Sequence, residues 1–373
     1  MTNVVITGTG LFTPEHAIDN DALVATFNTW VDRENARYSQ AIAAGEREPL
    51  AYSSSEFIEK ASGIKSRYVL DATGILDPER MRPRLPVRQN DEPSIQCEMA
   101  LDAARQALTA AGVKAQDIDL VIVACSNLER AYPAVAVELQ DALGAGGYGY
   151  DMNVACSSAT FALEAAANAI VSGSVKRALV VNPEICSAHL NFRDRDSHFI
   201  FGDACTAMVL EADDIATAPT RFEILGTRLV TRFSNAIRNN AGFLNRVTDS
   251  DPLESDKLFV QEGRRVFKEV CPLVAKLITD HLASLELSGE DVTRMWLHQA
   301  NRHMNDLIGR KVLGFEPDET QAPIILDHYA NTSSAGSIIA FHLHHDQLET
   351  GDIGVICSFG AGYSAGSVVV RRC

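Results

Sequence analysis

Cations are scarce in this 373-residue chain: 33 Lys and Arg stand against 49 Asp and Glu, a formal net charge of −16 at pH 7. Nucleic acids are held chiefly by Lys and Arg on phosphates, and an anionic membrane surface would repel the same field. Neither is expected as a partner. No uninterrupted apolar run approaches the ~18 residues of a membrane span. The opening MTNVVITGTG has neither a basic segment nor a signal-like core, which leads us to expect a cytoplasmic protein. The 8 cysteines include no C-x-x-C pair, and several lie in apolar runs such as VIVACS and GVICSF. That usage fits reduced, mostly buried thiols rather than a disulfide frame or a zinc site. The 13 prolines and 24 glycines are too few for a collagen or low-complexity chain. With 46% hydrophobic residues the sequence can fill a large core.

Val4–Ile6, closed by Gly8 and Gly10, reads as a first strand entering a turn. Residues 22–51 are polar, mixed in charge and helix-compatible, and read as an inserted helix or lid rather than core. Ser94 to Gly112 is an amphipathic helix, and LVIVACS from Leu120 has the continuous apolar character of a strand covered on both faces. Then come a strand (YDMNVA), a turn at Cys156, an alanine-rich helix (SSATFALEAAANAIVSG) and two buried strands (ALVVNPE, AMVLEA). The second half repeats this order. FEILGTRLV precedes a long helix over about 261–285, MWLHQA and a helix to Leu313. IILDHY, a turn at Asn331, a helix over 334–349 and two strands (IGVICSF, GSVVVRR) complete it. Such self-similarity predicts two α/β halves, 1–217 and 218–373, packed around shared buried helices.

Cys156 falls at the start of a helix, where free backbone N–H groups and the positive helix end favour thiolate and can face a developing oxyanion. A merely buried thiol fits the local text as well. His298 in LHQAN and Asn331 in HYANTSSAGSI taken singly are compatible with a core histidine and a turn residue. Together the three occupy corresponding strand-to-helix edges of two similar halves, which would bring them to one site. His342, His344 and His345 do not share a helix face and have no completing carboxylate or thiol, so no metal is expected.

NVACSSATFAL, LHQAN and HYANTSSAGSI, with FGDA at 201–204 and the closing FGAGYSAGSVVV, resemble the β-ketoacyl-acyl-carrier-protein synthase III family of the thiolase superfamily, in order over nearly the whole chain. The Asn in ANTSSAG separates it from related condensing enzymes that use two histidines. The resemblance implies a thiolase-like duplicated fold in five αβαβα layers. It also implies that Cys156 takes an acyl group from acyl-CoA, while His298 and Asn331 stabilise the enolate formed as a malonyl-acyl-carrier protein loses carbon dioxide. The amides of Cys156 and Ala361 would form the oxyanion hole, with Ala361 standing where the family more often has Gly. No metal or redox cofactor is implied.

Less central positions carry over as well. Arg195 matches an arginine near the CoA nucleotide; Phe57 replaces a stacking tryptophan and Ala61 an arginine. Tyr132 stands where a residue from the partner of a homodimer gates the acyl pocket. These departures, with the 22–51 insertion, point to a primer other than acetyl, of medium chain length. Carrier docking would fall on Arg264, Arg265 and Lys268 in one helix and on Arg302, Arg310 and Lys311 in another, a local cationic patch on an acidic protein. The fold also admits an acyltransferase or ketosynthase of quinolone or polyketide metabolism. A silent partner subunit would be free to lose Cys156, His298 or Asn331, and all three are present.

Overall fold

The computed structural model describes residues 2–251 and 254–373. Nine strands make one mixed sheet: β1 (Val4–Phe12), β2 (Leu120–Ala124), β3 (Tyr148–Met152), β4 (Arg177–Ile185), β5 (Asp203–Ala212), β6 (Phe222–Ser234), β7 (Val292–Leu297), β8 (Ile353–Gly360) and β9 (Gly362–Arg372). Their spatial order is β7-β8-β9-β6-β1-β5-β4-β2-β3. The duplication is visible in the pairing. The first strand of each half lies antiparallel to the last, β1 to β5 and β6 to β9. That last strand lies antiparallel to its predecessor, β4 or β8, which in turn runs parallel to β2 or β7. The halves meet along β1 and β6, through Val5–Glu223 and Ile6–Phe222.

The N-terminal half carries a further parallel strand, β3, outside β2. Among the described residues the second half has no counterpart to it. IILDHY, which the repeat pattern suggests as a strand, instead forms a helical turn, Leu326–Tyr329. Two causes combine: Pro323 has no N–H to give, and the buried carboxamide oxygen of the sequence-distant Gln299 takes the amides of Ile325 at 3.0 Å and Leu326 at 3.3 Å.

Eight helices matter for the site: α1 (Asn20–Arg37), α2 (Ser55–Ser62), α3 (Ile95–Ala111), α4 (Val135–Leu143), α5 (Ser158–Val171), α6 (Gly263–Ser284), α7 (Arg302–Leu313) and α8 (Ala335–His344). Strand residues alternate between faces, and the alternation sorts the layers. Ile122, Val180, Ile356 and Val368 face a central layer made by α5 and α8. Val121 and Val123 face α3 and α4, and Val355, Cys357 and Val369 face α6 and α7. Five layers result: helices, sheet, paired central helices, sheet, helices. The small residues of α5 and α8, Ala159, Ala162, Ala166, Ala335 and Ala340, let the two halves of the sheet close on the same pair of helices.

The 22–51 segment corrects its sequence reading. It begins with a helix, α1, capped by Asp19, whose carboxylate accepts the Ala22 amide at 2.8 Å, adds a short helix at Ser39–Ala43, and is not a detached lid. Leu23, Phe27 and Val31 are fully buried in a core shared with Ile58, Phe199 and Phe201. Phe27 also stacks on His198 at 4.5 Å. The apolar positions recur every fourth residue, so a polar composition concealed one packing face.

Candidate active site

Three chain segments converge on a cavity of about 520 Å³, whose lining includes Cys156, His298, Asn331, Phe359 and Gly360. The nucleophile turn follows β3. Ala155 is held at φ 47, a strained conformation for a residue with a Cβ. Ser158 Oγ fixes it by accepting the Val154 amide at 2.8 Å and donating to the Ala155 carbonyl at 2.7 Å. Ser157 Oγ donates to the Ser364 carbonyl at 2.7 Å and so ties the turn to β9 of the other half. Gly360, at the end of β8, is required by closeness: a Cβ there would stand 2.6 Å from Cys156 Cβ and 2.9 Å from its sulfur.

His298 leaves β7 with its amide bonded to the Cys357 carbonyl at 2.8 Å and its ring edge-on to Phe359. Burial pushes the imidazole down to about 4, while the Ser333 backbone draws it partly back. It is therefore neutral at pH 7. Its Nδ1 is buried without a partner. The backbone N–H of Asn331 donates to the Ile200 carbonyl at 2.9 Å, and its side-chain oxygen accepts the Ser333 amide at 2.8 Å. That bond fixes the orientation of the carboxamide and leaves its NH₂ to donate.

Cys156 departs from one expectation. Burial pushes the thiol up to about 11, with the Glu184 charge adding to the rise; the Ser333 hydroxyl, 3.5 Å from Sγ, and the amides of Ala361 and Cys156 oppose it. Desolvation outweighs the helix end, so the resting sulfur is a thiol. Both amides named for the oxyanion hole nonetheless act on this sulfur.

Toward the mouth, Phe57 and Ala61 line the cavity, and the Arg195 guanidinium lies over the Phe57 ring at 4.1 Å. Its Nε donates to the Tyr52 carbonyl at 2.7 Å, so the chain just before α2 positions it. Arg264 also lines the cavity. Arg265 is paired with Glu262 and Glu269, Arg302 with Glu319 and Arg310 with Glu316. Lys268 and Lys311 are exposed on α6 and α7, which pack together. Tyr132 is not in this cavity: it projects from the surface, 85% exposed. Ser333, Gly360 and Glu184 were not singled out in the sequence. Only Glu184 had a signal, an acid inside the apolar run ALVVNPEI. Among the described residues no cluster of His, Cys, Asp and Glu suits a metal ion, and no helix is long and apolar enough to cross a membrane.

The chain is also similar to known proteins in sequence and fold. The model of 3-oxoacyl-[acyl-carrier-protein] synthase III matches residues 150–232, and that of the C-terminal part of the same family matches residues 282–372. The β-ketodecanoyl-[acyl-carrier-protein] synthase of Pseudomonas aeruginosa is 64% identical over 93% of this chain and 99% of its own. The chain belongs to the 3-oxoacyl-[acyl-carrier-protein] synthase III family. It is accordingly an acyltransferase of the condensing type. The β-ketoacyl-[acyl-carrier-protein] synthase III of Acidiphilium cryptum is 32% identical over 73% of this chain and 83% of its own. The crystal structure of the Aquifex aeolicus synthase III superposes with a TM-score of 0.75, at 24% identity and 99% coverage of both chains, and shares the thiolase-like fold.

Proposed function

We propose that this synthase joins a medium-chain acyl-CoA to a malonyl-acyl-carrier protein, with Cys156 as the nucleophile. A thiol, a neutral imidazole and an oriented carboxamide converging on one cavity is the observation that carries the reading. Cys156 attacks the acyl thioester, the CoA thiol leaves with the proton, and the acyl group remains on sulfur. The amides of Cys156 and Ala361 take the oxyanion. The malonyl thioester then enters; its carboxylate leaves as carbon dioxide, and its thioester oxygen receives hydrogen bonds from neutral His298 and the Asn331 NH₂. The resulting enolate carbon attacks the acyl carbonyl, the bond to Cys156 breaks with its electron pair going to sulfur, a 3-oxoacyl-carrier protein is released, and the thiolate takes a proton from water to restore the thiol. The steps use acid–base and hydrogen-bonding groups of the chain, and no cofactor enters.

A ten-carbon β-keto product, which the Pseudomonas relative's name states, consists of an eight-carbon primer plus the two carbons that malonyl keeps. We infer an octanoyl primer here as well. Phe57 and Arg195 would meet the CoA nucleotide. The carrier would dock on Arg264, Arg265, Lys268, Arg302, Arg310 and Lys311. The halves 1–217 and 218–373 act as the duplicated units. The exposure of Tyr132 favours a homodimer in which it reaches the partner's acyl pocket. Intact-protein mass spectrometry tests the core claim: octanoyl-CoA should leave one acyl adduct, absent in Cys156→Ser. An undiminished adduct in that variant would refute the assignment.

A further inference from the structure

Glu184 places a carboxylate, 1% exposed, near the end of the apolar strand β4. A buried charge is costly unless donors surround it, and here the donors come from both halves. Ser126, just beyond β2, gives its amide at 2.9 Å and its hydroxyl at 2.6 Å. Ser334, three residues after Asn331 and immediately before α8, gives its amide at 3.1 Å and its hydroxyl at 2.5 Å. The Cys186 thiol stands 3.8 Å from Oε2. Burial raises the carboxyl above its ordinary range, and the serine donors oppose that rise and favour the ionised form, which the alkaline range secures. The charge acts on the Cys156 sulfur and on the thiols of Cys125, Cys186 and Cys205. Asp151 faces Cys125, Asp203 faces Cys186, and His298 on the cavity side is neutral.

We propose that Glu184 is a positioning residue: it fastens the Asn331–Ser334 turn to the nucleophile's half of the molecule, and its charge sets how readily the Cys156 sulfur gives up its proton. The proposal rests on Cys156 being the nucleophile. Glu184→Gln removes the charge at constant shape, and its carbonyl can still accept the Ser126 and Ser334 amides. Alkylation of Cys156 by iodoacetamide, followed by peptide mapping across the alkaline range, needs no turnover. The midpoint should fall by about one pH unit in Glu184→Gln. Alkylation below the midpoint should then be about threefold faster, since a less basic thiolate is also less nucleophilic.

Glu184→Asp, which keeps the charge, should retain the wild-type midpoint and serves where the amide variant folds poorly. Ser334→Ala should slow malonyl decarboxylation several-fold while acyl transfer to Cys156 persists. An unmoved or higher midpoint in Glu184→Gln, or a shifted one in Glu184→Asp, overturns the electrostatic role. Wild-type decarboxylation in Ser334→Ala overturns the fastening. Failure of the nucleophile assignment shows separately, as an acyl adduct that survives Cys156→Ser.

Discussion

Gly360→Ala should abolish most acylation while scarcely altering stability. The added Cβ would lie 2.6 Å from Cys156 Cβ and 2.9 Å from Sγ, against an ordinary carbon separation of about 3.5–4.0 Å, so roughly 1 Å must be found. β8 is held there by β9, which pairs it in register through Gly360–Ser364, and by β7 as far as Cys357; the nucleophile turn must move. Overpacking of this kind costs about 1–3 kcal/mol. Spread over the unfolding entropy of 373 residues, at about 2.1 cal/mol/K each, that lowers the melting temperature by only about 1–4 °C. Displacing a reacting atom by about 1 Å, by contrast, costs on the order of 10²-fold in rate. Gly354→Ala is the control. On the same strand, its Cβ would meet the Trp296 ring at 2.3 Å, so it should lose a similar few degrees yet form the acyl adduct at near wild-type rate. Calorimetry and time-resolved mass spectrometry of the octanoyl adduct measure the two effects. Gly360→Ala acylating within about threefold of wild type, at a lowered melting temperature, would show that the space around the sulfur does not govern its reactivity.

Three further outcomes follow from the same geometry. His298→Ala and Asn331→Ala should each still take up the acyl group but lose carbon dioxide release from labelled malonyl-carrier by at least about 10²-fold; loss of acylation alone, with decarboxylation intact, would contradict their roles. Because burial holds the His298 imidazole down to about 4, its neutral form persists as pH falls and is lost only as pH approaches that value. Decarboxylation should therefore keep its rate down to about pH 5, and an acid limb centred near the ordinary histidine value of about 6.5 would refute the neutral-donor account. Reversing Arg264 and Arg265 to Glu should raise the apparent KM for malonyl-carrier while sparing acylation by acyl-CoA; equal effects on both would remove the docking claim.

The duplicated α/β plan was legible because each half carries its own apolar strand runs and small-residue helix, signals that lie within about twenty residues of sequence. Cys156, His298 and Asn331 were legible as a set only because their flanking motifs occur together. What stayed hidden depends on distant partners. The missing strand at IILDHY follows from Gln299 taking two backbone amides from 26 and 27 residues away. The thiol state of Cys156 reflects burial by the opposite half, which no property of its own helix discloses. Gly360 looked like one glycine among several in FGAGYSAG until its distance to the sulfur was known. Phe27 and Val31 were masked by the polar Asn28 and Thr29 between them and by the charged run that begins at Asp32.

The shared central helices divide labour within the molecule. Spacing between sulfur, imidazole and carboxamide is set where the two halves of the sheet clamp α5 and α8, whereas the mouth is built from α2, from Arg195, which the stretch just before α2 holds, and from Arg264 of α6. On the function proposed above, donor preference would drift through substitutions and insertions in residues 20–62, with the bond-making machinery unaffected. Engineering for new primers should begin in that segment and leave the paired helices untouched.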